Sequence, residues 1–596
     1  MRSSVLVWLK SMTAWAIVAA IGGRAAVLRA DEYVLHSFRT EMLSDVYYSE
    51  GAGAGDIDGD GQTDVVCGPY WYRGPEFTEA YEIYKPVAQN RDRYADNFFS
   101  WVRDFDRDGH QDVLVVGFPG TPAFVYRNPG TDAVTTSGRK PDSPWTKHQV
   151  LDWVSNESPQ FTNLVGDDAQ ELVCTRDGFF GFATINSDDP LGPWEFHAIS
   201  EQIAPPRFGH GLGVGDVNGD GRHDLIYSGG WFEQPAENAT QSRWKLHATS
   251  FSNSYGGADM FAYDVDGDGD NDVLTAHAAH DFGLGWYEQV TKDGEIAFVH
   301  HLIMGDRPEK NRYGVVFSEP HSLALADIDG DGLKDLVTGK TYWSHHRQSP
   351  MWDAEPVVYW FRLVRNDDGV DWIPYLAGTT SGIGRQLTVA DVNADGLPDF
   401  VVGGMKGAHV LVHSRKRVDQ KQWQAGQPKR FQSSGARNDR GTKPTFDERG
   451  RIPGAIEGEA MKVVSTSAGQ VSVQQMNSFS ADRWSGGAQL FWRQAAPRAR
   501  MELEFEIEET GQYEVAAVLT TARDYAQVNL QLDGVALGST LDLYDYPEVR
   551  TTGLVSFGTQ SLNKGIHRLR LETVGMNPSA IPTHMVGLDC LVLTSK

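Results

Sequence analysis

One acidic nonapeptide recurs through the first two-thirds of this chain and limits the folds open to it. Six copies read D-x-[DN]-x-D-G-x-x-D, beginning at Asp56, Asp104, Asp216, Asp264, Asp327 and Asp391. A seventh, NLVGDDAQE from Asn163, keeps the length and loses most of the acids. The spacing averages about 56 residues, a period that belongs to propellers and solenoids. Oxygen ligands at alternate positions around a turn-forming Gly are how a short loop wraps Ca²⁺. The expected ligands are Asp56, Asp58, Asp60 and Asp64 in the first loop, and Asp104, Asp106, Asp108 and Asp112 in the second. They are Asp216, Asn218, Asp220 and Asp224 in the fourth, and Asp264, Asp266, Asp268 and Asp272 in the fifth. The last two loops offer Asp327, Asp329, Asp331 and Asp335, then Asp391, Asn393, Asp395 and Asp399. In the third loop Val165 stands at a ligand position and Asp168 replaces the Gly, so no Ca²⁺ is expected there.

An apolar strand precedes each loop and another follows it, as in HSLALAD and DLVTG, which makes a hairpin with the loop at its tip. Six units close with an aromatic strand such as WTKHQVL or WEFHAIS, and the seventh closing strand, YVLHSFRT from Tyr33, comes before the first loop. The N-terminal strand is therefore expected to complete the last unit of a closed seven-bladed β-propeller over residues 31–414, which leaves only short, protected edges. Residues 415–453 are rich in Gln, Gly, Lys and Arg and read as a flexible linker. Residues 454–596 carry alternating strands such as MELEFEIEE without the acidic loop, the pattern of a separate jelly-roll β-sandwich. The expected class is all-β throughout.

Residues 1–30 have a basic flank, a short apolar run and small residues at Ala26–Ala30, the layout of a cleaved secretory signal. An uncleaved anchor is the alternative; no later segment is apolar enough to span a membrane. The expected location is secreted or otherwise extracytoplasmic. The net charge of −27 on 596 residues argues against nucleic acid as a partner. Three scattered cysteines do not make a disulfide framework.

The repeat is its own alignment: what every unit shares is structural, and what one unit alone carries is a candidate for function. His36, His148, His197, His247 and His301 share one closing-strand position and are set aside as packing residues. Six residues before each loop stand Glu50, Phe98, Glu157, His210, Ala258, His321 and Arg385, where the innermost strands start. Five of these seven are ionisable on otherwise apolar strands. The return strands bring Tyr70, Trp71, Arg176, His277, His280, Lys340, Trp343, His345, His346 and Lys406 to the same end. A convergent polar mouth of this kind is the default site. His210, His321, His277 and His280 are candidate ligands for zinc or another divalent transition metal, or candidate bases. Arg385 and Lys340 are candidates to stabilise negative charge, and Glu50 and Glu157 to protonate a leaving group. A catalytic centre, a non-catalytic sugar or peptide site and a solvated funnel all remain open.

The loops resemble the FG-GAP/VCBS repeats of secreted bacterial proteins and integrin-α heads. RFGHGLGVGDVNGDG, LTAHAAHDFGLGWYEQ and SEPHSLALADIDGDGLKDLVTGKTYW resemble the propeller domain of the aldos-2-ulose dehydratase family. That resemblance implies a metal-dependent lyase that removes water from keto-sugars; the cupin domains of the family are absent. The C-terminal domain is similar to calcium-dependent jelly-roll carbohydrate-binding modules through IEGEA and GLDCLVL. By that resemblance Glu457, Glu459 and Asp589 hold a structural Ca²⁺, and Trp484 and Trp492 either stack on sugar or belong to the core. The expected partner is carbohydrate. A carbohydrate-binding or adhesion protein, with the propeller as scaffold, is the alternative to a lyase acting on keto-sugars or oxidised glycosides.

Overall fold

The computed structural model describes residues 33–596 apart from 131–144, 167–168, 253–255, 344–348, 353, 368, 432–440, 578–579 and 582. The signal segment, Asp168, His345 and His346 lie outside the described residues. The fold is all-β, and no helix among the described residues is long and apolar enough to cross a membrane.

Each acidic loop sits between the first two strands of a four-stranded antiparallel unit. The first unit is Gly53–Gly55, Asp64–Cys67, Tyr70–Tyr72 and Ala80–Glu82, and the second runs from Phe99–Arg103 to Thr146–Val154. The third spans Gln160–Thr162 to Glu195–Ala198. The fourth and fifth join into one eight-stranded sheet through parallel pairing of their first strands, Leu212 with Asp259 and Gly213 with Met260. The sixth runs from Ala324–Ala326 to Gly369–Gly378. The seventh is made of Leu387–Ala390, Asp399–Val402 and Ala408–Arg417, with Val34–Ser44 as its outer strand. Its first strand reaches the first unit: Gly51 bridges Gln386, and Thr388 Oγ1 donates to Ala52 O at 2.7 Å.

The ninth loop position has a local reason for being acidic. Asp64 accepts from Ile57 N and from Gly74 N, both at 2.8 Å, which pins the loop to the third strand. Asp112, Asp224, Asp272, Asp335 and Asp399 make the same pair of contacts. In the degenerate third loop Glu171 still accepts from Leu164 N at 2.7 Å, so this staple outlasts the other acids. Apolar cores lie between neighbouring sheets, for example Leu114, Val125, Leu172 and Trp194 between the second and third. The free cysteines Cys67, Cys174 and Cys590 are buried there and in the sandwich.

The C-terminal region is a sandwich of a seven-stranded and a five-stranded sheet. Arg500–Ile507 alternates buried and exposed positions, as a strand with one face on a core must. Trp492, Leu503, Leu519, Leu569 and Leu588 share the core between the two sheets.

The chain divides into two compact units, one of residues up to His36 with Arg415–Gln427, the other of Ser37–Ser414 with Pro428–Lys596. Within the smaller unit, Val418 N donates to Tyr33 O at 2.9 Å, and Tyr33 faces Trp423 at 5.4 Å between ring centroids. Trp423 lies on a short helix, Gln420–Gly426, opened by a capping box of Asp419 and Gln422. The segment expected as a flexible linker is thus structured where it is described. Phe431 N donates to Arg312 O at 2.8 Å, and Thr442 bridges Leu554. Its polar composition was a poor guide, because a capped helix and backbone pairing need little apolar surface.

Candidate functional site

The start of each innermost strand is where the repeat stops being uniform, and the ionisable residues there converge. Arg385 is central, with Nη1 3.6 Å from Glu50 Oε2 and Nε 3.4 Å from Glu157 Oε2. Glu157 Oε2 also lies 3.4 Å from His210 Nε2. The imidazoles of His210, His280 and His321 pack in a triangle with centroid separations of 4.7, 4.8 and 5.3 Å. One ring nitrogen from each lies within 4.8 Å of the others. Burial is nearly complete: Arg385 and His321 are each 1% exposed and Glu50 is 0% exposed. Tyr94 and Phe98 lie against the Arg385 guanidinium at 5.3 and 6.0 Å.

Two members escaped the sequence analysis. Glu319, 0% exposed, has Oε2 3.5 Å from Lys340 Nζ. It has a left-handed backbone, φ +61°, held by Glu319 N to Asp281 O at 2.8 Å and by His321 N to its own carbonyl at 2.9 Å. A non-glycine residue kept in that region by its surroundings is a mark of functional segments. The signal was a Ser/Asn-Glu dipeptide ahead of three loops: Ser49-Glu50, Asn156-Glu157 and Ser318-Glu319. Pro320 and His321 shift the third copy by two positions, so a fixed offset missed it. Tyr47, the other omission, donates its hydroxyl to Glu50 Oε1.

The electrostatics follow from these contacts. Burial alone would raise Glu157, but His210, Arg385 and His280 outweigh it and set its carboxyl at about 2. Burial and the neighbouring Glu50 push the Tyr47 phenol far up, so it keeps its proton. The carboxyl groups of Glu50, Glu157 and Glu319 face the basic groups of Arg385 and Lys340 here. Both ring nitrogens of His210 and both carboxyl oxygens of Glu319 are buried without a hydrogen bond. Buried nitrogen and oxygen atoms without hydrogen bonds fit a divalent cation; imidazole with carboxylate suits zinc, iron or manganese.

The structure leaves several expected mouth residues outside this cluster. His277 points away, with Nε2 2.9 Å from His300 Nε2, so it is not one of the convergent imidazoles; burial and His300 lower it to about 4. Trp71 is buried and stacks on Tyr81 at 4.6 Å, a core role rather than a mouth role. Arg176 pairs with Asp152 and Asp177, and Lys406 lies 3.9 Å from the Tyr342 ring. Trp343 faces Trp352 at 4.8 Å and carries Arg91 at 4.3 Å.

The acidic loops fold with their carboxylates inward. In the first, Asp56 accepts from Gly61 N and Asp60 from Gln62 N, at 3.0 and 2.9 Å. Asp56, Asp58 and Asp64 offer oxygens within 4.8 Å of one another, as do Asp104, Asp106 and Asp108, and Asp264, Asp266 and Asp268. An arginine from the third strand clamps positions three and five in three loops: Arg73 on Asp58 and Asp60, Arg127 on Asp106 and Asp108, Arg362 on Asp329 and Asp331.

In the sandwich, Glu457 and Asp589 converge with Cys590. Ser485 holds them, its amide donating to Asp589 Oδ1 at 3.0 Å and its hydroxyl to Glu457 Oε1 at 2.8 Å. Burial, with Glu457 and Glu459 nearby, pushes Asp589 up to about 8. Glu457 and Glu459 each keep one buried oxygen without a hydrogen bond, so this set also fits a cation. Trp484 and Trp492 are core residues, 3% and 0% exposed, their ring N–H groups donating to Thr520 Oγ1 and Ala468 O at 2.8 Å. Neither is available to stack on sugar.

An FG-GAP-like repeat model matches residues 327–402, the sixth loop through the second strand of the seventh unit. No curated protein matches the chain. Among solved structures, an Agrocybe aegerita lectin described as recognising non-reducing terminal N-acetylglucosamine is 16% identical, covers 65% of this chain and 87% of its own, with a TM-score of 0.31. An exo-β-1,3-galactanase of Phanerochaete chrysosporium is 10% identical over 94% of this chain and 100% of its own, with a TM-score of 0.27. A Podospora anserina β-(1,4)-mannanase with a carbohydrate-binding module is 15% identical over 24% of this chain, which spans 27% of its length, with a TM-score of 0.17. At these scores the likenesses carry no argument about mechanism.

Proposed function

We propose that the chain is an exported, carbohydrate-active lyase whose seven sheets close into a seven-bladed propeller around the three-histidine cluster. The reading takes six of the acidic loops and the Glu457–Glu459–Asp589 set as Ca²⁺ sites, and His210, His280 and His321 as ligands of a divalent transition metal. Its substrate is a keto-sugar or oxidised glycoside, in line with the resemblance to the aldos-2-ulose dehydratase family. The observation that carries it is the convergence of three imidazoles, two of them buried and that of His280 partly so, with three buried carboxyl groups and the basic groups of Arg385 and Lys340.

Elimination beside a carbonyl needs a base for the α-proton, stabilisation of the enolate and a proton for the leaving hydroxyl. A divalent metal held by the three imidazoles would supply Lewis acidity at the carbonyl. Glu319, whose oxygens accept no hydrogen bond, is placed to take the proton, with Lys340 beside it to balance charge. Arg385 stabilises negative charge developing near Glu157. Glu157, set at about 2, stays ionised and orients His210, so it is no proton donor. Glu319, having taken the α-proton, returns it to the leaving hydroxyl, which departs as water; Tyr47 keeps its proton and donates it in a hydrogen bond to Glu50.

Metal analysis of the purified protein, with ultraviolet detection of enone over a panel of keto-sugars, tests the reading. We expect one transition metal beyond calcium, and loss of both metal and turnover in a folded His321→Ala protein. A protein with calcium alone and no enone would leave carbohydrate binding without catalysis as the function.

A further inference from the structure

We propose that the C-terminal sandwich completes the sugar site of the repeat region, and that a cavity at their junction holds one pyranose unit of a glycan whose next unit reaches the three-histidine cluster. The inference rests on the reading above and narrows its substrate class from a keto-sugar or oxidised glycoside to an oligosaccharide.

The cavity encloses about 290 Å³, at the lower edge of the roughly 300–1,000 Å³ typical of small-ligand sites. The repeats contribute Phe282, Met351 and Tyr359, and the sandwich contributes Arg523, Tyr544 and Tyr546. Four of these six are aromatic, and charged Arg523 and Asp306 stand at the edge. Apolar faces bounded by polar groups suit a ring with C–H faces and a hydroxyl rim. Among the described residues, no hydrogen bond or ion pair holds the exposed Arg523 guanidinium. Asp306, by contrast, is taken by Lys310 Nζ at 2.7 Å.

Two segments that line the cavity run on into segments that carry members of the candidate metal cluster. Phe282 follows His280 by two residues, a separation of at most about 7 Å along the backbone. Between them Asp281 O accepts from Glu319 N. Pro350, another lining residue, accepts from Ser318 Oγ at 2.6 Å, one residue from Glu319. The segments that fix Glu319 and His280 therefore also form the cavity wall. On the far side, Phe282 meets Tyr546 edge to face at 6.4 Å, and Arg307 Nη1 donates to Tyr546 O at 3.4 Å. The sandwich is thus seated on the repeats at this point. Its buried Trp484 and Trp492 offer no sugar platform, whereas Tyr546 at the junction is partly exposed.

The test uses the full-length chain in a His321→Ala background, to hold substrate unconverted, and calorimetric titration with hexasaccharides of xylan, galactan, mannan, pectin and alginate. At least one should bind, and Tyr546→Ala and Phe282→Ala should each weaken it about tenfold, the scale of one anchor residue. Arg523→Ala, an exposed change that leaves the fold intact, should weaken it several-fold. Melting temperatures identify any variant that has lost its fold. Binding that falls with Tyr546→Ala and ignores Phe282→Ala would mean the sandwich acts alone, and the shared cavity would be wrong. No hexasaccharide binding would also overturn it. If the unsubstituted chain forms enone from keto-monosaccharides while the cavity changes have no effect, the lyase reading stands and this inference falls. If hexasaccharide binding needs both aromatics and no enone forms, the cavity stands and the lyase reading falls.

Discussion

The three-histidine cluster and the sandwich cluster both bury carboxylates, and their neighbours move those carboxylates in opposite directions. In the first, His210, Arg385 and His280 overcome desolvation and hold Glu157 at about 2. In the sandwich, Asp589 has Glu457 and Glu459 for company and rises to about 8. The first cluster is built with Arg385 and Lys340 against its carboxyl groups, while in the second Arg451 Nε stands 3.9 Å from Glu457.

The comparison breaks most visibly at Arg385. Replacing it by Met leaves Glu50 and Glu157 buried with their main cation gone, and should cost about 3–5 kcal/mol in urea unfolding. A neutral result would show that Glu50 and Glu157 are not compensated as described. The sandwich cluster sharpens the contrast through pH. In EDTA, the folded chain keeps the Asp589 proton up to about 8, while the unfolded chain releases it near 3.8. The folded state binds more protons in that window, so this group's contribution falls as pH rises from about 4 to 8. Asp589→Asn should flatten that slope, and added Ca²⁺ should abolish it in the parent. The smallest effect belongs to His277, lowered to about 4 beside His300. Here the unfolded chain takes up the proton first, so stability is full above about 6.5 and is lost as pH falls towards 4. His277→Asn should make acid unfolding over that range shallower, by under about 1 kcal/mol, since part of the ring is exposed.

The strands and loops were legible because the repeat prints one pattern seven times, and so was the level at which Glu157, His210, His321 and Arg385 meet. Register carried that information, and register failed where it slipped: Pro320 displaced Glu319 from the counted offset. His277 and His280 looked alike in sequence, and only the turn at Gly283 separates them. There His277 N bonds to Gly283 O, and a Cβ on Gly283 would lie 2.5 Å from His277 Nδ1. The roles of Trp484 and Trp492 were open because a strand aromatic reads the same whether it faces core or solvent. The junction cavity was not legible at all, since Phe282 and Tyr546 lie 264 residues apart and nothing in either segment names the other.

The strand Val34–Ser44 has a further consequence, set by the order in which a chain is made. It lies beside Ala408–Arg417, so its partner is made more than 360 residues after it. Until then it is an open edge, and the seventh unit closes only once both strands exist.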